Sequence, residues 1–228
     1  MAKYFQIIRI TPEEPLYPQI LREYLSDEAP CALFAIGNPE ILALKKLAFF
    51  CSVKCPGHLI IETYNLAQRL KGANVTVIGG FHSPIERECL TILLRGTQPI
   101  IVCPARSIKE MRIRVEYKEP LREGRLLLFS PFKDNQRRST AETAFERNRF
   151  VAMLADAVFV AHAAPDSKTD QFCRDVLEWQ KPLFTLESNA NINLINLGAK
   201  PVNLDNAAEE KVKTDLFLGK YWLIKVRK

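Results

Sequence analysis

The chain has no apolar run approaching the roughly 20 residues that a bilayer-spanning helix takes. Its first residues, Met1-Ala2-Lys3-Tyr4-Phe5-Gln6, lack the basic-then-apolar layout of a secretory signal, and the expectation is a cytoplasmic protein with no membrane role. Cysteine pairing is missing too. Of the six cysteines only Cys51 and Cys55 lie close together, at a spacing that fits neither a zinc knuckle nor a Cys-x-x-Cys redox pair. They are read as buried thiols in a reducing compartment. No Walker A loop and no full Gly-x-Gly-x-x-Gly occurs, which argues against ATP hydrolysis and dinucleotide binding. Internal repeats and low-complexity tracts are likewise absent.

What is present suits a globular α/β protein. With 228 residues, 47% of them hydrophobic, the chain can bury one sizeable core. The formal charge of +6 is compatible with a polyanionic partner. Short apolar runs alternate with amphipathic stretches from residue 47 onward. Strands are expected at Ala48–Cys51, Val75–Ile78, Pro99–Cys103, Arg125–Phe129, Ala157–Ala161 and Pro182–Leu186. Helices are expected at His58–Lys71, Pro84–Leu94, Glu119–Glu123, Ala141–Ala155, Ser167–Trp179 and Asn191–Leu197. That rhythm predicts a mostly parallel sheet covered on both faces, a three-layer αβα sandwich. The predicted organisation is an amino-terminal arm or cap at 1–45, broken by Pro12, Pro15, Pro18 and Pro30, a main domain at 46–202, and a tail at 203–228. Ile7–Ile10 reads as a short strand within the arm, and Tyr221–Val226 as an edge strand or partner-contacting segment.

Three polar turns follow strands on what should be one edge of the sheet: Ser52 to Gly57, Gly79 to Pro84, and Pro165 to Thr169. Ligands bind at that edge in open α/β sheets. Lys54 and Lys168 are point charges suited to phosphate, Ser52, Ser167 and Thr169 offer hydroxyls, and Gly79 and Gly80 expose backbone N–H groups. Asp166 or Ser167 can cap the helix that follows. Arg147-Asn148-Arg149 lies on the Ala141–Ala155 helix, where it fits either a binding edge or a plain solvated face. His82 is better placed for hydrogen bonding than for general-base work, Glu86 for orienting a loop or capping a helix, and His162 for a pocket wall or a satisfied core position. No catalytic residue, metal ligand or cofactor is assigned, and the chain is not expected to be an enzyme.

From about Tyr17 to Val202 the chain resembles the DNA-processing protein A family, also called Smf. The resemblance rests on Tyr17-Pro18 with Leu21, Gly37-Asn38, Cys51-Ser52-Val53-Lys54, Gly79-Gly80 with Ile85-Glu86, Arg147-Asn148-Arg149 followed by Ala152, Leu154, Asp156 and Val158, Ser167-Lys168-Thr169, and Asn193-Leu194-Ile195 with Gly198-Ala199. Arg-Asn-Arg and its spacing to the next strand are the most specific part. The resemblance implies an extended Rossmann fold, single-stranded DNA as partner without a cofactor, loading of the recombinase RecA, and a homodimer. The implied DNA- and phosphate-binding set is Ser52, Lys54, Gly79, Gly80, His82, Arg147, Asn148, Arg149, Ser167, Lys168 and Thr169. Departures fall in the turns: Val53 stands where the family has arginine, Gly79-Gly80 where it has Ser-Gly, His82 where it has a small residue, Pro84 where it has glycine, Glu86 where it has aspartate, and Lys168 where it has glycine. The alternatives are a nucleotide-binding or nucleotide-sensing protein of similar fold, although the Pro-Gly-Gly-x-Gly-Thr pattern of the phosphoribohydrolases is absent, and a structural or interaction module.

Overall fold

A computed structural model describes residues 6–204, so most of the expected tail, including Tyr221–Val226, lies outside the described residues. The chain forms a nine-stranded sheet of β1 (Ile7–Ile10), β2 (Leu33–Gly37), β3 (Lys46–Phe50), β4 (Thr76–Gly79), β5 (Ile100–Val102), β6 (Leu126–Ser130), β7 (Ala157–Val160), β8 (Leu183–Leu186) and β9 (Lys200–Val202). Their spatial order is β1-β2-β6-β5-β4-β3-β7-β8-β9. All pairings from β6 to β9 are parallel, whereas β1 on β2 and β2 on β6 are antiparallel.

The layers follow from the two-residue period of a strand, which sends successive side chains to opposite faces. Leu47 and Phe49 of β3, Leu126 and Leu128 of β6, and Ala157 and Phe159 of β7 enter one core. Ala48 and Phe50, Leu127 and Phe129, and Val158 and Val160 enter the other. The first core is closed by α2 (Gly57–Leu70), α3 (Pro84–Leu93) and α4 (Val115–Arg122), through residues such as Leu66, Cys89 and Leu121. The second is closed by α1 (Ile20–Leu25), α5 (Ala141–Leu154), α6 (Lys168–Glu178) and α7 (Ile192–Leu197), through Leu21, Val151, Phe172 and Leu194. With both faces covered, the central strands read as unbroken apolar runs. The fold is therefore the α/β, extended Rossmann-like three-layer arrangement with a mostly parallel sheet.

Three stretches differ from the sequence reading, one of them Lys200–Val202, where no strand was expected and β9 pairs with β8. Leu33–Gly37, expected as an apolar piece laid over a larger body, is a strand of the sheet itself, with Phe34 to Gly37 paired to Leu127–Ser130. Gly37 has φ +112°, and a Cβ there would overlap the Leu126 carbonyl, so this close crossing of β2 over β6 takes glycine. The connection after β5 carries α4, which begins at Val115, four residues before the helix expected at Glu119.

Candidate functional site

Because β3 to β9 run parallel, their carboxyl ends share one edge. From β3 the chain moves to β4, β5 and β6, then returns to β7 on the opposite side of β3. Connections diverge there, leaving the crevice where ligands bind in such sheets. A pocket of about 250 Å3 occupies it, lined by Phe50, Cys51, Glu86, Ala144, Phe145, Asn148, Lys168, Thr169 and Phe172 among others. The turn after β3 is tied to the one after β7: Ser52 N–H donates to the His162 carbonyl (3.1 Å), and the Ser52 and Thr169 hydroxyls lie 3.4 Å apart. Ser167, rather than Asp166, caps α6, accepting the Asp170 N–H at 3.1 Å. Asp166 sits just outside in the left-handed region, φ 57°.

Glu86 organises two of the turns at once. Its carboxylate accepts backbone N–H groups from Cys51 (2.9 Å), His82 (2.8 Å) and Ser83 (3.2 Å), while Ser83 Oγ accepts the Glu86 N–H (3.2 Å) in a capping box. One side chain thus fixes the ends of β3 and β4 and the start of α3. Burial pushes its carboxyl above the ordinary range, against the pull of these N–H donors and of Arg147.

A second, larger concavity of about 330 Å3 lies beside the first, over the ends of β4, β5 and β6. Five arginines line it, Arg87, Arg106, Arg112, Arg114 and Arg147, and no carboxylate does. Arg147 is 4% exposed. Its Nη1 donates to the Cys103 carbonyl and its Nε to Asn148 Oδ1, both at 2.8 Å. Burial lowers its pKa, and nearby Glu86 opposes that shift. A Cβ on Gly80 would overlap this guanidinium, so the glycine makes room for the arginine. Positive φ in that turn falls instead on Phe81, at 47°. The Gly79-Gly80 pair thus serves close packing, where the sequence reading had it exposing backbone N–H groups. Adjacent residues of α5 divide the two pockets, Arg147 facing one and Asn148 the other.

A family model, DNA recombination-mediator protein A, matches residues 8–213. The chain belongs to this family. Two solved family structures share the fold. DNA processing protein A from Streptococcus pneumoniae superposes with a TM-score of 0.71 at 21% identity, over 88% of this chain and 73% of that one. The Helicobacter pylori protein, described for its single-stranded DNA binding mode, gives 0.69 at 20% identity, over 95% and 98%. No curated protein sequence matches the chain significantly.

Against this family background, the implied binding set divides. Gly80, His82 and Arg147 line the arginine pocket; Asn148, Lys168 and Thr169 line the crevice pocket; Ser52 and Ser167 brace its turns. Gly79 is buried within β4, its carbonyl accepting the Cys103 N–H at 2.8 Å. Lys54 is exposed and lines neither pocket. Arg149, grouped with Arg147 in the sequence reading, is separated from it: it pairs with Asp175 at 3.2 Å and lies over the Trp179 ring at 5.0 Å. His162 is buried, its Nδ1 2.9 Å from Asn191 Oδ1, as a satisfied core residue. The sequence reading gave Arg106, Arg112 and Arg114 no role. Their shared position after β5, on the ligand-binding edge, was the available signal.

Proposed function

We propose that this chain binds single-stranded DNA along the carboxyl edge of its sheet and acts as a recombination mediator. The observation that carries this reading is the arginine pocket: five arginines line it and no carboxylate does, although Arg114 also pairs with Glu116. Phosphates engage these arginines, whose planar forks match phosphate oxygens. Single-stranded bases turn toward the adjoining crevice, where Phe50, Phe145 and Phe172 supply apolar walls and Lys168, Thr169 and Asn148 polar groups. With most bonds going to the backbone, sequence preference is small. Family membership and the DNA-binding Helicobacter pylori relative of the same fold support the assignment.

Within this reading the protein works in the cytoplasm as a homodimer and delivers the strand to a recombinase of the RecA type during DNA uptake or repair. Among the described residues, no helix is long and apolar enough to cross a membrane. Titration of labelled oligonucleotides with the wild type and with Arg106→Gln and Arg112→Gln variants tests the reading. Each variant should weaken binding of every sequence alike and reduce the salt slope by about one phosphate contact. Unaltered affinity in both variants would place the DNA elsewhere, and binding of mononucleotides without oligonucleotides would favour nucleotide sensing.

A further inference from the structure

Resting on that reading, the geometry of the arginine pocket points to a more specific ligand: we infer that it takes a terminal phosphate, the phosphomonoester at a strand end, in preference to an internal diester. Charge favours the monoester. A diester carries one negative charge, whereas a phosphomonoester carries about 1.5 to 2 near neutral pH and offers three acceptor oxygens. The wall supplies five arginines and no carboxylate; even with Glu116 beside Arg114 and Glu86 near Arg147, the positive charge left exceeds what one diester neutralises.

Arg147 favours it too. It is 4% exposed and makes no ion pair among the described residues. The nearby buried carboxylate, Glu86, is already engaged by three backbone N–H groups. A buried cation lacking a paired anion is costly, and its guanidinium is held at the pocket by the Cys103 carbonyl, Asn148 and the absence of a side chain on Gly80. A dianion in the pocket offsets that cost more fully than a monoanion.

Apolar side chains supply part of the lining: Val102, Leu128 and Tyr117, all buried, from β5, β6 and α4. At the rim, Arg112 has no partner among the described residues, while Arg114 stays beside Tyr117 (5.7 Å) and Glu116 (3.7 Å). Arg112 is therefore the cation freest to close on the entering phosphate.

The test compares oligonucleotides of one sequence with a 5′-phosphate, a 3′-phosphate or hydroxyls at both ends, by fluorescence anisotropy at fixed salt, with thymidine monophosphate and thymidine as competitors. One phosphorylated end should bind at least about fivefold more tightly than the hydroxyl strand, as expected for added charge-assisted hydrogen bonds. Arg112→Gln, at an exposed position, should remove most of that gain while the melting temperature holds. Competition by thymidine monophosphate, but not thymidine, also supports the phosphomonoester and identifies free nucleotide as a source; its failure to compete while the preference persists assigns the strand end. Equal binding of all three strands with no competition overturns this inference alone. Failure of any strand to bind overturns the DNA reading as well.

Discussion

Arg147, Asn148 and Arg149 are consecutive, yet they do three different things. An α-helix turns about 100° per residue, so neighbours diverge and positions two apart point to nearly opposite sides. Arg147 accordingly faces the arginine pocket, Asn148 the crevice, and Arg149 the seam with α6 and Trp179. The triplet was legible as important; its division among three surroundings was not, because local pattern does not fix the phase of a helix against its sheet. Arg149→Ala should lower stability by about 1 kcal/mol, through lost pairing and ring stacking, while DNA affinity stays unchanged. Thermal melts beside oligonucleotide titrations check this. Gly80→Ala should do the reverse in emphasis: the new Cβ displaces the Arg147 guanidinium, weakening DNA binding and costing about 1 to 3 kcal/mol of stability. Glu86 gives a pH signature. Because burial raises its folded pKa above the ordinary value of 4.5, the folded state holds a proton that the unfolded state releases in the interval above that value. The contribution is fully present below about 4.5 and is lost as pH rises through the folded pKa. Relative to Glu86→Gln, the wild type should therefore gain stability as pH falls across this window, and denaturant titrations at several pH values measure the difference. A difference that is flat with pH would show that the carboxyl titrates normally.

At the level of elements, β3 to β8 were readable because each is an apolar run near helices of clear period, whereas β9, Lys-Pro-Val, carries no such signal and was not expected. The antiparallel edge was less readable too. Residues 33–37 are apolar enough to be a strand, but the prolines and polar turns around them resemble a surface connection, and only the pairing with β6 settles their place. The arginine pocket escaped sequence reading for a related reason: its cations come from α3, the β5–α4 connection and α5, far apart in the chain and adjacent only once the sheet forms. Helix α5 carries residues of both pockets, and its start is fixed by a capping box in which Thr140 Oγ1 accepts the Thr143 N–H and the Thr143 hydroxyl accepts the Thr140 N–H. Thr140→Ala should cost about 1 kcal/mol. A variant melting with the wild type would show that packing, rather than the cap, fixes this end.

For the whole molecule, fold, cationic edge and family membership converge on one account: a scaffold whose cores lie on both faces of the sheet leaves its carboxyl edge free to hold a polyanion. Its central claim is that affinity for single-stranded DNA is electrostatic and centred on the arginine pocket. Neutralising about five phosphates of a single strand, one in the arginine pocket and the rest along the adjoining carboxyl edge, should give a salt slope near −3.5, so affinity falls about 100-fold between about 50 and about 200 mM salt. The most direct measurement is a salt titration of binding to one long single strand and to its duplex, with the wild type and the Arg106→Gln/Arg112→Gln double variant. The account predicts tighter binding to the single strand, a steep slope for the wild type, and a slope shallower by about 1.4 for the double variant. Wild-type affinity that does not change with salt, or identical slopes for the two proteins, would contradict it.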